Sequence, residues 1–86
     1  MTQPTGSILL IEDDEAFRRM LLDALESLGH SVAWAGSAEQ GLALAREGGF
    51  DLVLTDVRLP GMTGVESIPL LREASPGTDI IVMTAY

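Results

Sequence analysis

Three carboxylates in this sequence stand directly after short apolar runs. Glu12 and Asp13 follow the run at residues 7–11, and Asp56 follows the run at residues 52–55. Carboxylates that lie close together repel one another and raise their pKa values unless a cation joins them. Mg²⁺ prefers oxygen ligands and needs only one or two carboxylates, which leaves Asp56 available as the nucleophile of a phosphoryl transfer. These residues therefore indicate magnesium-assisted formation of an aspartyl phosphate, provided that the fold brings them together.

A hydroxyl follows another apolar run of the same kind. Thr84 stands directly after residues 79–83, and its side chain could hydrogen-bond a phosphate oxygen. Each signal is weak alone, because acids after a strand often cap a helix and an Asp before a turn usually forms that turn. The turn after Asp56 contains Pro60 and Gly61. The prediction therefore depends on the conjunction of three apolar runs that each end in a polar side chain.

Continuous apolar runs of this length are typical of strands buried on both faces of a parallel sheet. The segments between them have apolar residues at helical spacing, with Asp14 and Ser37 as N-caps. Strands that alternate with helices imply right-handed βαβ units, and ligands bind in such folds at the carboxyl ends of the strands. The predicted elements are strand 7–11, helix 15–28, strand 30–35, helix 38–47, strand 50–56, a helix from 64 or 65 to about 73, and strand 79–84.

Several side chains outside the acidic cluster receive ordinary structural roles. In the third predicted helix, Val65 is expected to face inward with Ile68 and Leu71, whereas Pro69 removes a backbone donor and should delay or bend the helix. His30 is expected at the surface or at a cap, Trp34 in partly buried packing, and both Arg18 and Arg19 in solvent.

Length and composition indicate a single globular domain. The chain has 86 residues, of which 47% are hydrophobic and 21% are charged, and no apolar run approaches the roughly 20 residues of a membrane span. The net charge of −8 disfavours direct binding to nucleic acid. The sequence has no cysteine, which fits a cytoplasmic protein. Residues 1–6 are predicted to be a flexible lead-in, and residues 7–86 the domain.

Three strings carry a resemblance to a known family. They are Ile-Leu-Leu-Ile-Glu-Asp-Asp at residues 8–14, Asp-Val-Arg-Leu-Pro-Gly-Met-Thr-Gly at residues 56–64, and Ile-Ile-Val-Met-Thr-Ala-Tyr at residues 80–86. With them the chain resembles the receiver domain of two-component response regulators, in the style of the NtrC type. The resemblance implies an α/β fold of the flavodoxin-like (CheY-like) class, a three-layer parallel sheet with strand order 2-1-3-4.

The resemblance also implies a role for each residue of the predicted site. Asp56 would accept a phosphoryl group from a histidine kinase and also touch Mg²⁺. Asp13 would bind the ion directly and Glu12 through water, with the backbone carbonyl of Arg58 as a further ligand. Thr84 would be the switch hydroxyl that moves toward the phosphate. Such a domain counts as a regulated substrate rather than an enzyme, and it would control a transcription-regulating output domain in a full-length protein.

The sequence departs from the family pattern after its fourth strand. The fourth helix, fifth strand and fifth helix of a receiver are expected to be missing, together with the lysine that the family uses to grip phosphate; the sequence contains no lysine. Phosphorylation of this chain is therefore expected to be impaired. Residues 80–83 are also expected to form an exposed edge strand, which predicts self-association as a dimer or higher oligomer.

Two other functions remain open from the residues alone. One is a phosphorylation-independent module for protein interaction or dimerisation. The other is a Mg²⁺-dependent phosphohydrolase, which also uses an Asp after a strand. Such enzymes usually place a second Asp two residues after the nucleophile, and Arg58 occupies that position here. The sequence therefore disfavours the phosphohydrolase.

Overall fold

The structure, a computed structural model, describes residues 6–83 as four strands that alternate with three helices. Residues 1–5 of the predicted lead-in at residues 1–6 lie outside the described part of the chain, as does the predicted switch residue Thr84. No helix within this part of the chain is long and apolar enough to span a membrane. The elements are β1 Ser7–Ile11, α1 Glu15–Ser27, β2 Ser31–Ala35, α2 Ala38–Glu47, β3 Leu52–Asp56, α3 Gly64–Ala74 and β4 Asp79–Met83.

All four strands are parallel and form one sheet in the order β2-β1-β3-β4. This confirms the predicted fold class and strand order. Ile11 pairs with Ala35 on one side and with Thr55 on the other, and Asp56 pairs with Met83. The register therefore brings the carboxyl ends of all four strands to one edge, with β1 and β3 as direct neighbours.

The amino ends of two strands differ from the sequence prediction. β3 begins at Leu52 rather than at residue 50, because Asp51 forms a pair of hydrogen bonds with Ser7 at the start of β1. Its backbone N–H donates to the Ser7 carbonyl at 2.8 Å, and its Oδ2 accepts from the Ser7 N–H at 2.8 Å. β2 begins at Ser31 because the N–H of His30 donates to the Leu25 carbonyl at the end of α1. The side chain of His30 is half-buried, and its Nδ1 accepts from the backbone N–H of Gly6 at 3.1 Å.

The three helices begin at side-chain caps that the chain places one residue before them. Asp14 accepts from the N–H of Phe17, and Ser37 accepts from the N–H of Gln40. Thr63 and Glu66 form a capping box at the start of α3, with distances of 2.9 and 3.1 Å. These caps satisfy helix N–H groups and fix where α1, α2 and α3 leave the sheet edge.

The core lies between the sheet and the α2–α3 layer. Its buried members include Leu9 and Ile11 on β1, Val53 on β3, Leu42 on α2 and Leu71 on α3. These side chains come from four elements, so burial of the core ties the two strands that carry the acids to the same two helices.

The inward face of α3 differs from the prediction in one respect. Gly64, Ser67 and Leu71 are buried, whereas Val65 is 57% exposed, so its predicted inward orientation is wrong. A glycine at the first position lets the helix approach β3 closely, and its neighbour Val65 consequently points away from the sheet. α3 also starts at Gly64 and accommodates Pro69 inside it, so it does not start late.

Candidate functional site

The structure brings together Glu12, Asp13 and Asp56. Each contributes one carboxylate oxygen, and these oxygens all lie within 4.8 Å of one another. Two neighbouring strands position them: Glu12 and Asp13 follow β1, and Asp56 is the last residue of β3. A backbone hydrogen bond of 3.0 Å from the Glu12 N–H to the Ala35 carbonyl extends the β1–β2 pairing into this loop. The convergence expected from the apolar runs is therefore present.

The three acids differ sharply in their exposure to solvent. Glu12 is 1% exposed and Asp56 is 5% exposed, whereas Asp13 is exposed. Glu12 Oε2 accepts from the Asp14 N–H at 3.0 Å, but Glu12 Oε1 is buried with no hydrogen-bond partner among residues 6–83. A buried carboxylate oxygen without a donor is costly unless a cation or water satisfies it. The cluster is thus suited to a divalent ion with oxygen ligands.

Burial gives the Glu12 carboxyl unusual titration behaviour. The pKa of Glu12 is raised from its ordinary value of 4.5 to about 7, and burial of the carboxyl away from water is the largest cause. The hydrogen bond from the Asp14 N–H opposes this effect, while the negative charge of Asp56 adds to it. Burial and the charge of Asp56 therefore oppose ionisation of Glu12, and a proton or a cation at the cluster relieves this opposition.

Replacing Glu12 with Gln is expected to stabilise the metal-free protein at pH 8. Because the pKa of Glu12 is higher in the folded than in the unfolded chain, stability falls as pH rises from 4.5 to about 7. A neutral amide of the same shape avoids this loss, which is on the order of 1–3 kcal/mol. Urea unfolding with EDTA at pH 5 and pH 8 measures it.

The matched control for this prediction is Glu47→Gln, which removes one charge at the exposed last residue of α2. We expect Glu12→Gln to flatten the decline in stability with pH and Glu47→Gln to preserve it. Equal pH dependence in wild type and Glu12→Gln would contradict the account of the cluster.

A hydrogen-bonded turn connects Asp56 to α3. Asp56 Oδ1 accepts from the Arg58 N–H at 3.1 Å, which orients the carboxylate. The N–H of Val57 donates to the Met83 carbonyl at 2.8 Å, and the N–H of Gly64 donates to the Val57 carbonyl at 3.2 Å. Leu59 is buried in the core and anchors the middle of the turn. These bonds connect the end of β3, at Asp56 and Val57, to β4, to its own turn and to the start of α3.

The remaining predicted site residues have different outcomes. The backbone N–H of Arg58 contacts Asp56, while the role of its carbonyl as a metal ligand stays a prediction. Thr84 follows the end of β4 directly, and β4 pairs with β3 beside Asp56. Thr84 itself lies beyond the described residues, so its role as the switch hydroxyl also stays a prediction.

Sequence reasoning missed one residue next to the site. Arg18 was expected in solvent, but its Nη1 donates to the Glu12 backbone carbonyl at 3.0 Å. Its guanidinium Cζ also lies 3.8 Å from the centre of the Trp34 ring, which is 49% exposed. The prediction of a solvated Arg18 is therefore wrong. No local pattern signals this contact, because it joins α1 to a ring on β2 and to a loop six residues back along the chain.

Comparison with protein families gives a match over nearly the whole chain. A model of the response regulator receiver domain matches residues 8–86. The chain is 44% identical over 80 residues to YkoG, an uncharacterized transcriptional regulatory protein of Bacillus subtilis, covering 93% of the chain and 35% of that protein. It is 39% identical over 80 residues to the DNA-binding transcriptional regulator NtrC of Azospirillum brasilense, covering 93% of the chain and 17% of that protein. The chain thus spans no more than 35% of the length of either relative.

Solved structures give the same match at the level of the fold. A CheY-like response regulator receiver domain protein of Methanospirillum hungatei superposes with a TM-score of 0.90 at 34% identity, over 96% of the chain and 66% of that protein. TrrA of Thermotoga maritima, solved in complex with Mg(2+)-BeF, gives 0.88 at 31% identity, over 94% and 70%. A response regulator of Burkholderia pseudomallei with a phosphorylated aspartic acid, calcium ion and citrate gives 0.87 at 31%, over 94% and 48%.

Proposed function

Because this chain belongs to the response regulator receiver domain family, we propose that it takes a phosphoryl group from a histidine kinase onto Asp56 with the help of Mg²⁺. The observation that carries the proposal is the convergence of Asp56 with Glu12 and Asp13 at the carboxyl edge of the sheet. An acceptor carboxylate beside two further acids is an arrangement suited to metal-assisted phosphoryl transfer.

The residues present fit a magnesium ion. Glu12 Oε1 is a buried oxygen with no donor among residues 6–83, and the donor set consists of hard oxygens alone. Asp13 and Asp56 would bind the ion directly, Glu12 through water, and the Arg58 backbone carbonyl would be a further ligand. When bound, the ion supplies positive charge that offsets the negative charge developing on the transferred group. TrrA with Mg(2+)-BeF and the Burkholderia regulator with calcium support this part of the proposal.

Asp56 performs the transfer as a nucleophile. One of its carboxylate oxygens forms the new bond to phosphorus, while the bond from phosphorus to the kinase histidine nitrogen breaks and that nitrogen keeps the electron pair. The hydrogen bond from the Arg58 N–H holds the carboxylate in one orientation. The chain thereby acts as a phosphoacceptor rather than as an enzyme in its own right.

The consequence of phosphorylation lies in the full-length protein. Because the relatives are transcriptional regulators, we propose that the phosphorylated domain controls a transcription-regulating output domain. Self-association through β4 stays a prediction: β4 forms one edge of the sheet within residues 6–83, and its Ile81 is 50% exposed. The alternative of a phosphorylation-independent interaction module also stays a prediction.

The direct test is incubation of the chain with acetyl phosphate and Mg²⁺, followed by intact-mass measurement. We expect the mass of one phosphoryl group to be added with Mg²⁺ and no addition when EDTA replaces it. Absence of the added mass under conditions in which Mg²⁺ is shown to bind would contradict the proposed function. The rate, compared with that of a receiver containing the family lysine, measures the impairment expected from a sequence without lysine.

A further inference from the structure

Arg18 contacts the backbone of the acidic cluster and not its carboxylates. Its Nη1 donates to the Glu12 carbonyl oxygen at 3.0 Å, and this carbonyl belongs to the peptide bond that continues into Asp13. On the other side, the Glu12 N–H donates to the Ala35 carbonyl at 3.0 Å. The Glu12 backbone is therefore held on one side by β2 and on the other by α1.

The ring of Trp34 holds the guanidinium in place. Arg18 Cζ lies 3.8 Å from the ring centre, a distance at which a planar cation stacks on an aromatic face. An arginine side chain has many rotamers, and this contact restricts them to the one that reaches the Glu12 carbonyl. Trp34 is 49% exposed, so it is packed against the arginine instead of being a member of the core.

We propose that Arg18, held against Trp34, is a positioning residue that orients Glu12 and Asp13 for binding of a divalent cation. The inference rests on the proposed function, because it assigns the metal-binding role to the same cluster. The Glu12 carbonyl is part of the peptide plane that joins Glu12 to Asp13, so the bond from Arg18 restrains ψ of Glu12 and φ of Asp13, the dihedral angles that set the position of Asp13 relative to Glu12. Without this bond the backbone can take other values of these angles, and Asp13 is no longer held where its carboxylate converges with those of Glu12 and Asp56.

Electrostatics alone makes the opposite prediction. Arg18 carries a positive charge beside a site for a cation, so removing that charge should strengthen Mg²⁺ binding if charge were its only effect. Removing a group that orients metal ligands should weaken binding instead, typically by 10- to 100-fold. The sign of the change therefore distinguishes a positioning residue from a nearby charge.

The chain supplies a matched control for the charge. Arg19 is the adjacent residue on α1, has the same charge and is exposed. Arg18→Met and Arg19→Met each remove one guanidinium, but only Arg18→Met removes the bond to the Glu12 carbonyl. NMR titration with MgCl₂ alone, followed at the backbone amides of Asp13 and Asp56, gives the dissociation constant of each variant.

We expect about 10-fold weaker Mg²⁺ binding in Arg18→Met and unchanged or slightly tighter binding in Arg19→Met. Binding in Arg18→Met that equals or exceeds that in Arg19→Met would overturn the positioning role. If the wild-type chain shows no Mg²⁺-dependent shift at any concentration, the proposed metal site fails and this inference fails with it. A wild-type chain that binds Mg²⁺ thus separates the two failures.

Substitutions of Trp34 test the second half of the arrangement. Trp34→Phe keeps an aromatic face for the guanidinium, whereas Trp34→Ala removes it. We expect Trp34→Ala to weaken Mg²⁺ binding, though less than Arg18→Met does. We expect Trp34→Phe to bind Mg²⁺ with an affinity close to that of the wild type. The titrations are made at a temperature at which thermal melts show every variant to be folded. If the ring had a purely structural role, Trp34→Ala would lower the melting temperature and leave the Mg²⁺ affinity unchanged. Equal affinities in Trp34→Ala and Trp34→Phe would show that the ring does not position Arg18.

Discussion

Replacing Asp56 with Asn is expected to abolish uptake of phosphate by the chain. The amide lacks the anionic oxygen that attacks phosphorus, so no acyl phosphate can form at this position. We do not expect Glu12 to substitute for it, because its carboxyl is 1% exposed and its Oε2 already accepts from the Asp14 N–H. Intact-mass measurement after incubation with acetyl phosphate and Mg²⁺ should show no added phosphoryl group.

Asp56→Asn has a matched control at the amino ends of the strands, on the side of the sheet away from the acidic cluster. Asp79 is exposed at the start of β4, so Asp79→Asn removes an equal charge far from the cluster. We expect this variant to take up phosphate as the wild type does. Asp56→Asn should also remain folded, because it removes a charge that repels Glu12. Uptake by a folded Asp56→Asn at the wild-type rate would place the acceptor elsewhere.

Replacing Gly64 with Ala is expected to damage both the fold and the site. A Cβ at this position would lie 2.1 Å from the Asp56 carbonyl oxygen and 3.1 Å from the Val57 Cα. These are backbone atoms of β3 and its turn, so they cannot move aside as the end of a flexible side chain can. Overpacking of this kind costs about 1–3 kcal/mol or more. Relief requires that α3 or the end of β3 shift, and the end of β3 carries Asp56.

Two measurements separate these effects of Gly64→Ala. Urea unfolding gives the loss of stability, and the rate of phosphate uptake below the unfolding transition gives the loss at the site. We expect the rate to fall roughly 100-fold, because displacing a reacting group by about 1 Å can have an effect of this size. Gly77→Ala is the control, since within residues 6–83 no atom beyond its two chain neighbours lies within 4 Å of the added Cβ. Comparable losses in the two variants would show that the contact with Asp56 is not the cause.

Much of the fold could be predicted from local patterns. Residues 8–11 of β1 and 80–83 of β4 are apolar without interruption, so their strand structure followed from composition, although Ile81 of β4 is 50% exposed. The caps at Asp14 and Ser37 were also predictable, because a capping side chain acts within three residues of its own position. The start of β3 could not be predicted in this way, because the hydrogen bonds between Asp51 and Ser7 join residues 44 positions apart.

The candidate site shows the same division. That Glu12, Asp13 and Asp56 converge followed from parallel strands, which bring their carboxyl ends to a common edge. The burial that raises the pKa of Glu12, and the lack of a partner for its Oε1, depend on packing around the cluster. The outward direction of Val65 depends on how closely Gly64 lets α3 approach β3.

The sequence by itself determined the types of the elements, the strand order through its resemblance to receivers, and the three acids at the sheet edge. Only the tertiary structure decided that Arg18 reaches the Glu12 carbonyl and lies against Trp34. The physical reason is the sequence separation over which each interaction acts. Periodicity, capping and turn formation act between residues a few positions apart and leave a pattern in the chain. A side chain on α1 that contacts a ring on β2 depends on the distance and angle between two packed elements, and no local pattern encodes these.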